Sequence, residues 1–303
     1  MKRVVGFSWA DKHEALKRVP RALEMIMVMM VFITASCERN KNEQNKSASP
    51  ETSATVEVAG AALERTKLVV VADLVPHTEL LEFVSPKLAV QGIDLEIVTV
   101  IDGTTSNEKT SVGEFDANFF QHEPYLKSVV AEQGYDVVNA GNIHVEPIGA
   151  YSEVHRTKEE LPDNATIAIP NDATNEFRAL TILAENGFIR LKEDMDVYST
   201  TTLDVAEYIK PITLVELDSA AIIRVRDQFD AYITNTNKVL EAGIDTGTVL
   251  FREGKDSPYA NILGVKSSRV NDPAIKALYQ ALTSEDVRQF IEEKYKGAVI
   301  PAF

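Results

Sequence analysis

Apolar positions along this chain fall into two alternating patterns. Short β-branched runs are separated by longer stretches in which apolar residues recur every three or four positions. The first pattern predicts buried strands and the second amphipathic helices. Lys67–Ala72 (KLVVVA) is the first strand, and Leu74–His77 a loop. A helix follows with Leu80, Leu81, Val84 and Leu88 on one face, and Pro86 inside it predicts a kink or an early stop. Asp94–Ile101 alternates as a second strand. A turn at Asp102–Ser106 leads to a short helix over Asn107–Val112, ended by Gly113. Phe115–Phe120 is the next strand, and Pro124 opens the next helix, where its missing N–H costs nothing.

The second half repeats the alternation. His144–Tyr151 is an apolar strand containing Pro147, a residue excluded from central ladders, so this strand lies at an edge or leaves its sheet for a second domain. Thr166–Ile169 starts that second unit. Asp172 or Thr174 caps a helix carrying Leu180, Leu183 and Ala184 on one face and stopping at Gly187. Ile212–Leu217 and Phe229–Thr234 are strands, the latter running into Asn235. The chain then returns to the first domain, through Ile262–Val265 and two closing helices begun by Asp272-Pro273 and Ser284-Glu285. Strand and helix in strict alternation predict an α/β fold with right-handed crossovers and a parallel sheet.

The N-terminal part follows neither pattern. Met25–Ala35 is an apolar run too short to span a bilayer, preceded by basic residues. Thr34-Ala35-Ser36 places small residues directly before Cys37, the only cysteine. This resembles the cleavage box of bacterial lipoproteins, which implies a signal peptide over residues 1–36 and acylation of the Cys37 thiol, palmitate included. Thr34 stands where leucine is usual. Residues 37–66 are polar, too poor in apolar groups to fold, and read as a flexible tether.

Charge narrows the partners. The net charge is −15, with +3 in the first 36 residues and −18 in the remainder. An acidic body of that size argues against nucleic acid or an anionic membrane surface as its ligand. With 45% hydrophobic and 25% charged residues the composition is that of a soluble globular protein.

Two stretches carry candidate chemistry. At Phe120–Tyr125 the end of a strand meets the start of a helix, the edge at which open α/β sheets bind ligands. Phe120, His122 and Tyr125 cluster there. The competing reading is that one phenylalanine is core and Tyr125 packs a helix. Arg178 sits near the N-terminus of its helix, where the dipole disfavours a cation. An external carboxylate bridging guanidinium and backbone N–H groups would relieve this; a salt bridge to Glu176 or another acid would do the same.

Three segments together, DANFFQHEPYL (116–126), IPNDATNEFRAL (169–180) and DSPYAN (256–261), resemble the methionine-binding lipoproteins of bacterial ABC importers. VPHTELLE (75–82), GNIHVEPIGAYS (141–152) and ITNT (233–236) also fit, so the likeness runs from Lys67 to the C-terminus. It implies a bilobed periplasmic-binding-protein fold of type II, two α/β lobes joined by crossing strands. Lobe 1 would comprise 67–147 and 237–303, and lobe 2 148–236. It implies that Arg178 grips the ligand carboxylate and that Asn235 and Asn261 bind its ammonium and carboxylate. Phe120, His122 and Tyr125 would enclose the thioether. It further implies a monomer held to the cell membrane by lipid on Cys37, on the periplasmic or extracellular face, and a permease with its ATPase as partners. One departure is Asp102-Gly103-Thr104, where the family usually has a pocket tyrosine. Gly103 leaves a wider site, so D-methionine, another amino acid or a methionine dipeptide stays open beside L-methionine.

Other classes fit less well. A surface lipoprotein without a transport role keeps the fold and loses the ligand, and Gly103 alone points that way. For an enzyme there is no nucleophile elbow, phosphate-binding glycine loop or HExxH. No cofactor is implied. The histidines of the body, His77, His122, His144 and His155, are not spaced as a local metal pair, so no metal site is expected.

Overall fold

A computed structural model describes residues 65–99 and 103–303. The expected signal peptide, Cys37 and the tether up to residue 64 lie outside the described residues, as does Asp102. Thr66, expected to end the tether, already pairs with Ile93 as the first residue of a strand.

The chain begins with β1 (Thr66–Ala72), α1 (Glu79–Val90), β2 (Ile93–Thr99), α2 (Gly103–Val112), β3 (Ala117–Phe119), α3 (Glu123–Gln133) and β4 (Val138–Val145). Next come β5 (Gly149–Tyr151), β6 (Thr166–Pro170), α4 (Ala173–Glu185), β7 (Ile189–Leu191), β8 (Val205–Tyr208) and β9 (Thr213–Leu217). Then follow α5 (Ser219–Val225), β10 (Ala231–Thr234), α6 (Thr236–Glu241) and β11 (Phe251–Arg252). The last elements are β12 (Ala260–Val265), α7 (Pro273–Leu282), α8 (Glu285–Tyr295) and β13 (Ile300–Pro301).

These strands form two main sheets. The first has the order β13-β4-β12-β3-β1-β2, the second β11-β5-β10-β6-β9, and β7 pairs β8 apart from both. Each sheet has its own core. Leu68, Leu80, Leu88, Phe119, Leu278 and Ile291 belong to the first, and Ile167, Leu180, Leu183, Phe188 and Ile233 to the second. Two lobes therefore each bury an independent apolar face.

The sheets are mixed, whereas strand–helix alternation predicts parallel ones. β2, β1 and β3 are parallel, but β12 runs antiparallel to β3 and β4, and β13 antiparallel to β4. The second sheet is parallel through β10, β6 and β9, with β5 and β11 antiparallel. Two crossings explain this. β4 exits the first lobe at Val145, and β12 re-enters beside it, Ala260 pairing Val145. A strand that comes back from the edge where its neighbour left must run the opposite way. Pro147 lies in the first crossing, between β4 and β5, so it breaks no ladder. Sheet pairing places the return after Arg252, since β11 still belongs to the second sheet, and not at residue 237.

The two crossings are tied together. The Glu253 N–H donates to the Ile148 carbonyl at 3.0 Å, and the Ile148 N–H to Glu253 Oε2 at 3.2 Å. α6 also spans the lobes, with Val239 packed in the second and Leu240 against the core of the first.

Local rules explain most boundaries. α4 starts where Asp172 accepts from the Asn175 N–H, and α7 where Asp272 accepts from the Ala274 N–H. α3 stops at Gly134, whose positive φ of 73° suits glycine. The expected break at Pro86 does not occur, and α1 runs twelve residues through it. Leu80, Leu81, Val84 and Leu88 are all buried, while Pro86 is exposed, so the carbonyl it leaves unpaired can face water.

Candidate functional site

A cleft of about 550 Å³ opens between the lobes, and all six sequence-predicted ligand residues line it. Phe120, His122, Tyr125 and Asn261 come from the first lobe, Arg178 and Asn235 from the second.

The loop that carries Phe120 and His122 is fixed from beneath by a buried amide network. Gln121 Nε2 donates to Asn107 Oδ1 at 2.7 Å and to Asn118 Oδ1 at 2.8 Å, and Asn107 Nδ2 donates back to Gln121 Oε1 at 2.9 Å. Asn118 Nδ2 in turn donates to Thr110 Oγ1. Satisfied amides of this kind hold one backbone geometry, since breaking any one strands a buried partner. The two phenylalanines divide the alternatives: Phe119 is fully buried core, and Phe120 faces the cleft.

His122 caps α3 with Nδ1, which accepts the Tyr125 N–H at 3.1 Å. Nε2 therefore carries the proton and donates across the cleft to Asn175 Oδ1 at 3.2 Å. Burial, then the nearby Arg178 charge, pushes its pKa down to about 3, so the ring is neutral. Its ring meets Tyr125 and Tyr259 edge-on at 6.2 and 5.1 Å, and Phe120 meets Tyr125 at 6.4 Å. The result is an aromatic wall in the first lobe.

Arg178 lies one turn deeper in α4 than its spacing suggested, and it is 2% exposed. Its fork is directed at Glu253: Nε to Oε1 at 2.8 Å and Nη2 to Oε2 at 2.6 Å. Nη2 also donates to the Glu146 carbonyl at 2.9 Å and Nη1 to Asn175 Oδ1 at 3.0 Å. The Tyr259 ring covers the guanidinium at 4.4 Å. So an internal acid compensates the buried charge, and that acid is Glu253, not Glu176. Arg178 clamps α4 to both crossings, and Nη1 is left with one N–H to give.

Asn175 and Tyr259 are the residues that sequence reasoning passed over. Asn175 Oδ1 gathers donors from Arg178, Asn235 (Nδ2, 2.9 Å) and His122. Its own Nδ2 is held by both oxygens of Asp172. Both residues lie inside the NDATNEFR and DSPYAN segments, so the signal was present. What hid it was that Asn175 reads as a helix-start residue.

Asn261 is placed by β12. Its backbone bridges His122, and its Oδ1 lies 3.1 Å from His77 Nε2. Gly103 opens α2 at the cleft, but the space is not simply vacant. A Cβ there would lie 2.7 Å from Tyr125 Oη and 3.0 Å from Phe120 Cε2, so the aromatic wall fills the room a side chain would take.

Behind Asn261, among the described residues, His77, His144 and Glu146 bring three ligating atoms within 4.8 Å of one another. Burial lowers the His77 pKa to about 4, against the pull of Glu146, and lowers that of His144 to about 3. Burial pushes the Glu146 carboxyl up. The cleft is also rich in acids: Asp73, Glu146, Asp172, Asp218 and Glu241 line it, against Arg178, Arg224 and Lys238.

Residues 68–303 match the model of the NlpA lipoprotein family. The chain belongs to that family. It is 38% identical over 229 residues to membrane lipoprotein TpN32 of Treponema pallidum, covering 75% of this chain and 85% of the relative. It is 32% identical over 247 residues to the methionine-binding lipoprotein MetQ of Bacillus subtilis, covering 80% and 90%. A solved nutrient binding protein from Burkholderia cenocepacia, bound to methionine, superposes with a TM-score of 0.74 at 35% identity, over 78% of this chain and 100% of that one. The bilobed α/β substrate-binding fold expected from the sequence is therefore the fold of this protein. Among the described residues no helix is long and apolar enough to cross a membrane.

Proposed function

We propose that the protein is a lipid-anchored substrate-binding protein that captures methionine between its lobes and hands it to the permease of an ABC importer. The observation that carries this reading is the convergence of Arg178, Asn175 and Asn235 from one lobe with His122, Tyr125 and Asn261 from the other on one cleft. The methionine-bound relative and the methionine-binding lipoprotein of B. subtilis support the choice of ligand.

Each group has a role in this reading. The ligand carboxylate meets the free N–H of Arg178 Nη1 and the amides of Asn235 and Asn261. The ammonium has several cleft carboxylates to choose from, an excess suited to a zwitterion and not to a simple anion. The thioether lies against Phe120, Tyr125 and His122, where sulfur at a ring edge gains about 0.3–1.5 kcal/mol per contact. Tyr125, packed against Gly103, sets the length of the side chain admitted. No residue of the cleft is asked to make or break a covalent bond. Cys37 carries the lipid, and the tether holds the body clear of the membrane surface.

The test is a thermal-shift and calorimetric screen with L-methionine, D-methionine, a methionine dipeptide and the other amino acids. L-Methionine is expected to raise Tm in proportion to the logarithm of its concentration above Kd, by about 2.7 kcal/mol of added stability at 100 Kd. A shift with the dipeptide alone would reassign the ligand. No shift with any of them would leave a lipoprotein without a transport role.

A further inference from the structure

Among the described residues, the buried cluster behind the cleft has no lysine or arginine in ion-pair contact with its carboxylate. Glu146 is 3% exposed, and the only ion-pair partners of its carboxylate among the described residues are the two histidines. Arg178 touches Glu146 only at its backbone carbonyl. Glu146 Oε2 is satisfied by the Asn237 N–H at 2.9 Å, which leaves Oε1 facing both rings.

The ring geometry points to one spot. Nε2 of His144 is 2.7 Å from Glu146 Oε1, and Nε2 of His77 is 3.5 Å from the same oxygen. Nε2 of His77 is also 3.1 Å from Asn261 Oδ1. Neither Nδ1 has any partner, so each ring is oriented through Nε2 alone. The rings pack edge-on at 4.9 Å, with Phe119 against both at 4.6 and 5.4 Å. Two imidazole nitrogens and one carboxylate oxygen thus lie within 4.8 Å of one another, with the Asn261 amide oxygen beside His77 and Phe119 packed on both rings.

We infer that His77, His144, Glu146 and Asn261 form a site for a divalent transition-metal ion, zinc by its donors. Two histidines and a glutamate are an established tetrahedral zinc set, with bonds of about 2.0–2.2 Å, so ligand atoms stand roughly 3.3–3.5 Å apart. The His77–Glu146 distance of 3.5 Å already meets this, and the His144–Glu146 contact of 2.7 Å opens by less than 1 Å. On binding, each ring presents Nε2 to the ion with its proton on Nδ1, and Glu146 binds as the carboxylate. Imidazole donors select against magnesium and calcium, which take all-oxygen sets. Glu146 and Asn261 both line the cleft, so the ion enters from there. Because Asn261 serves both the ion and the cleft, metal and amino acid meet at one side chain.

The experiment uses the full chain, freed of metal by chelator and then titrated with Zn²⁺ alone, with Mg²⁺ as control. Metal content is read by plasma mass spectrometry after gel filtration, and Co²⁺ absorption reports the coordination. One Zn²⁺ per chain is expected, with intense tetrahedral Co²⁺ bands and no heat with Mg²⁺. His144→Phe keeps the aromatic packing and removes one ligand; zinc retention should fall at least tenfold while the methionine-induced Tm shift persists. Glu146→Gln keeps the size and should lose zinc likewise. No zinc retained by the wild-type chain, or unchanged retention in both variants, overturns the site. The metal readout is independent of methionine, so its failure is distinct from failure of the transport reading.

Discussion

At the scale of the residue, the cleft works because its buried polar groups are committed to one protonation state. His122 is the clearest case. It needs Nδ1 free to accept and Nε2–H to donate, so only the neutral tautomer fits. Its folded pKa, lowered to about 3 from 6.5 by burial and Arg178, makes that a pH-dependent contribution. Above pH 6.5 both folded and unfolded states hold it neutral. As pH falls toward 3 the unfolded state takes up a proton and the folded state does not, so stability is lost on acidification. Between pH 7.5 and 5 wild type should lose about 2 kcal/mol relative to His122→Gln. Denaturant midpoints at both pH values measure it, and parallel losses in the two proteins would mean His122 is solvated. Of the candidate site, Arg178, Asn235, Asn261, Phe120, His122 and Tyr125 were legible in the sequence because each sits in a segment that carries the family resemblance. Glu253, which takes the fork of Arg178, was not, since it lies in a crossing with no periodic signal. The His77–His144–Glu146 cluster was equally hidden, because only the folded sheet brings its members together.

At the scale of the element, periodicity and cap signals located every described helix except the short α5 and α6, found most strands, and misjudged what bounds them. β7, β8, β11 and β13 escaped notice, because strands of two to four residues hold too few alternations to register. The parallel sheet expected from alternation held over β2-β1-β3 and β10-β6-β9 and failed beyond them. β12 reverses because its direction is set by the crossing, and no local pattern encodes that. Pro86 shows the opposite failure, in which a sound local rule is outweighed. Four buried side chains of α1 fix the helix on both sides of the proline. Proline inside a helix costs about 3 kcal/mol relative to alanine, and the unfolded chain returns about 1 kcal/mol of that through its lower entropy. Pro86→Ala should therefore stabilise the protein by about 2 kcal/mol, a rise in Tm of about 4–8 °C for a body of this size. Scanning calorimetry decides it, and an unchanged Tm would show that α1 accommodates the ring without cost.

At the scale of the whole molecule, the question is what sets the relation of one lobe to the other. The two crossings make a hinge, and Arg178 stiffens it by gripping Glu146 and Glu253 at once. α6 forms a second connection. It leaves β10 in the second lobe and docks on the turn that follows β1 in the first. There Asp73 Oδ2 accepts from Asn237 Nδ2 at 2.7 Å and from Lys238 Nζ at 3.1 Å. Burial opposes the charge on Lys238, yet Asp73 and Glu241 together raise its pKa, so the ammonium persists. This latch lies at the mouth of the cleft and must loosen whenever the lobes part. A hydrogen bond to a partly buried charge is worth about 1.5–3 kcal/mol, so removing it makes local opening about tenfold more frequent or greater. In Lys238→Met without ligand, amides of α6 and of the turn at 74–78 should exchange with deuterium at least tenfold faster, while the core strands β1 and β6 stay unchanged. Saturating methionine, which favours the closed form, should restore most of the protection. Exchange that is equally fast in wild type and variant would mean the lobes are held by the crossings alone, with α6 riding passively on the second lobe.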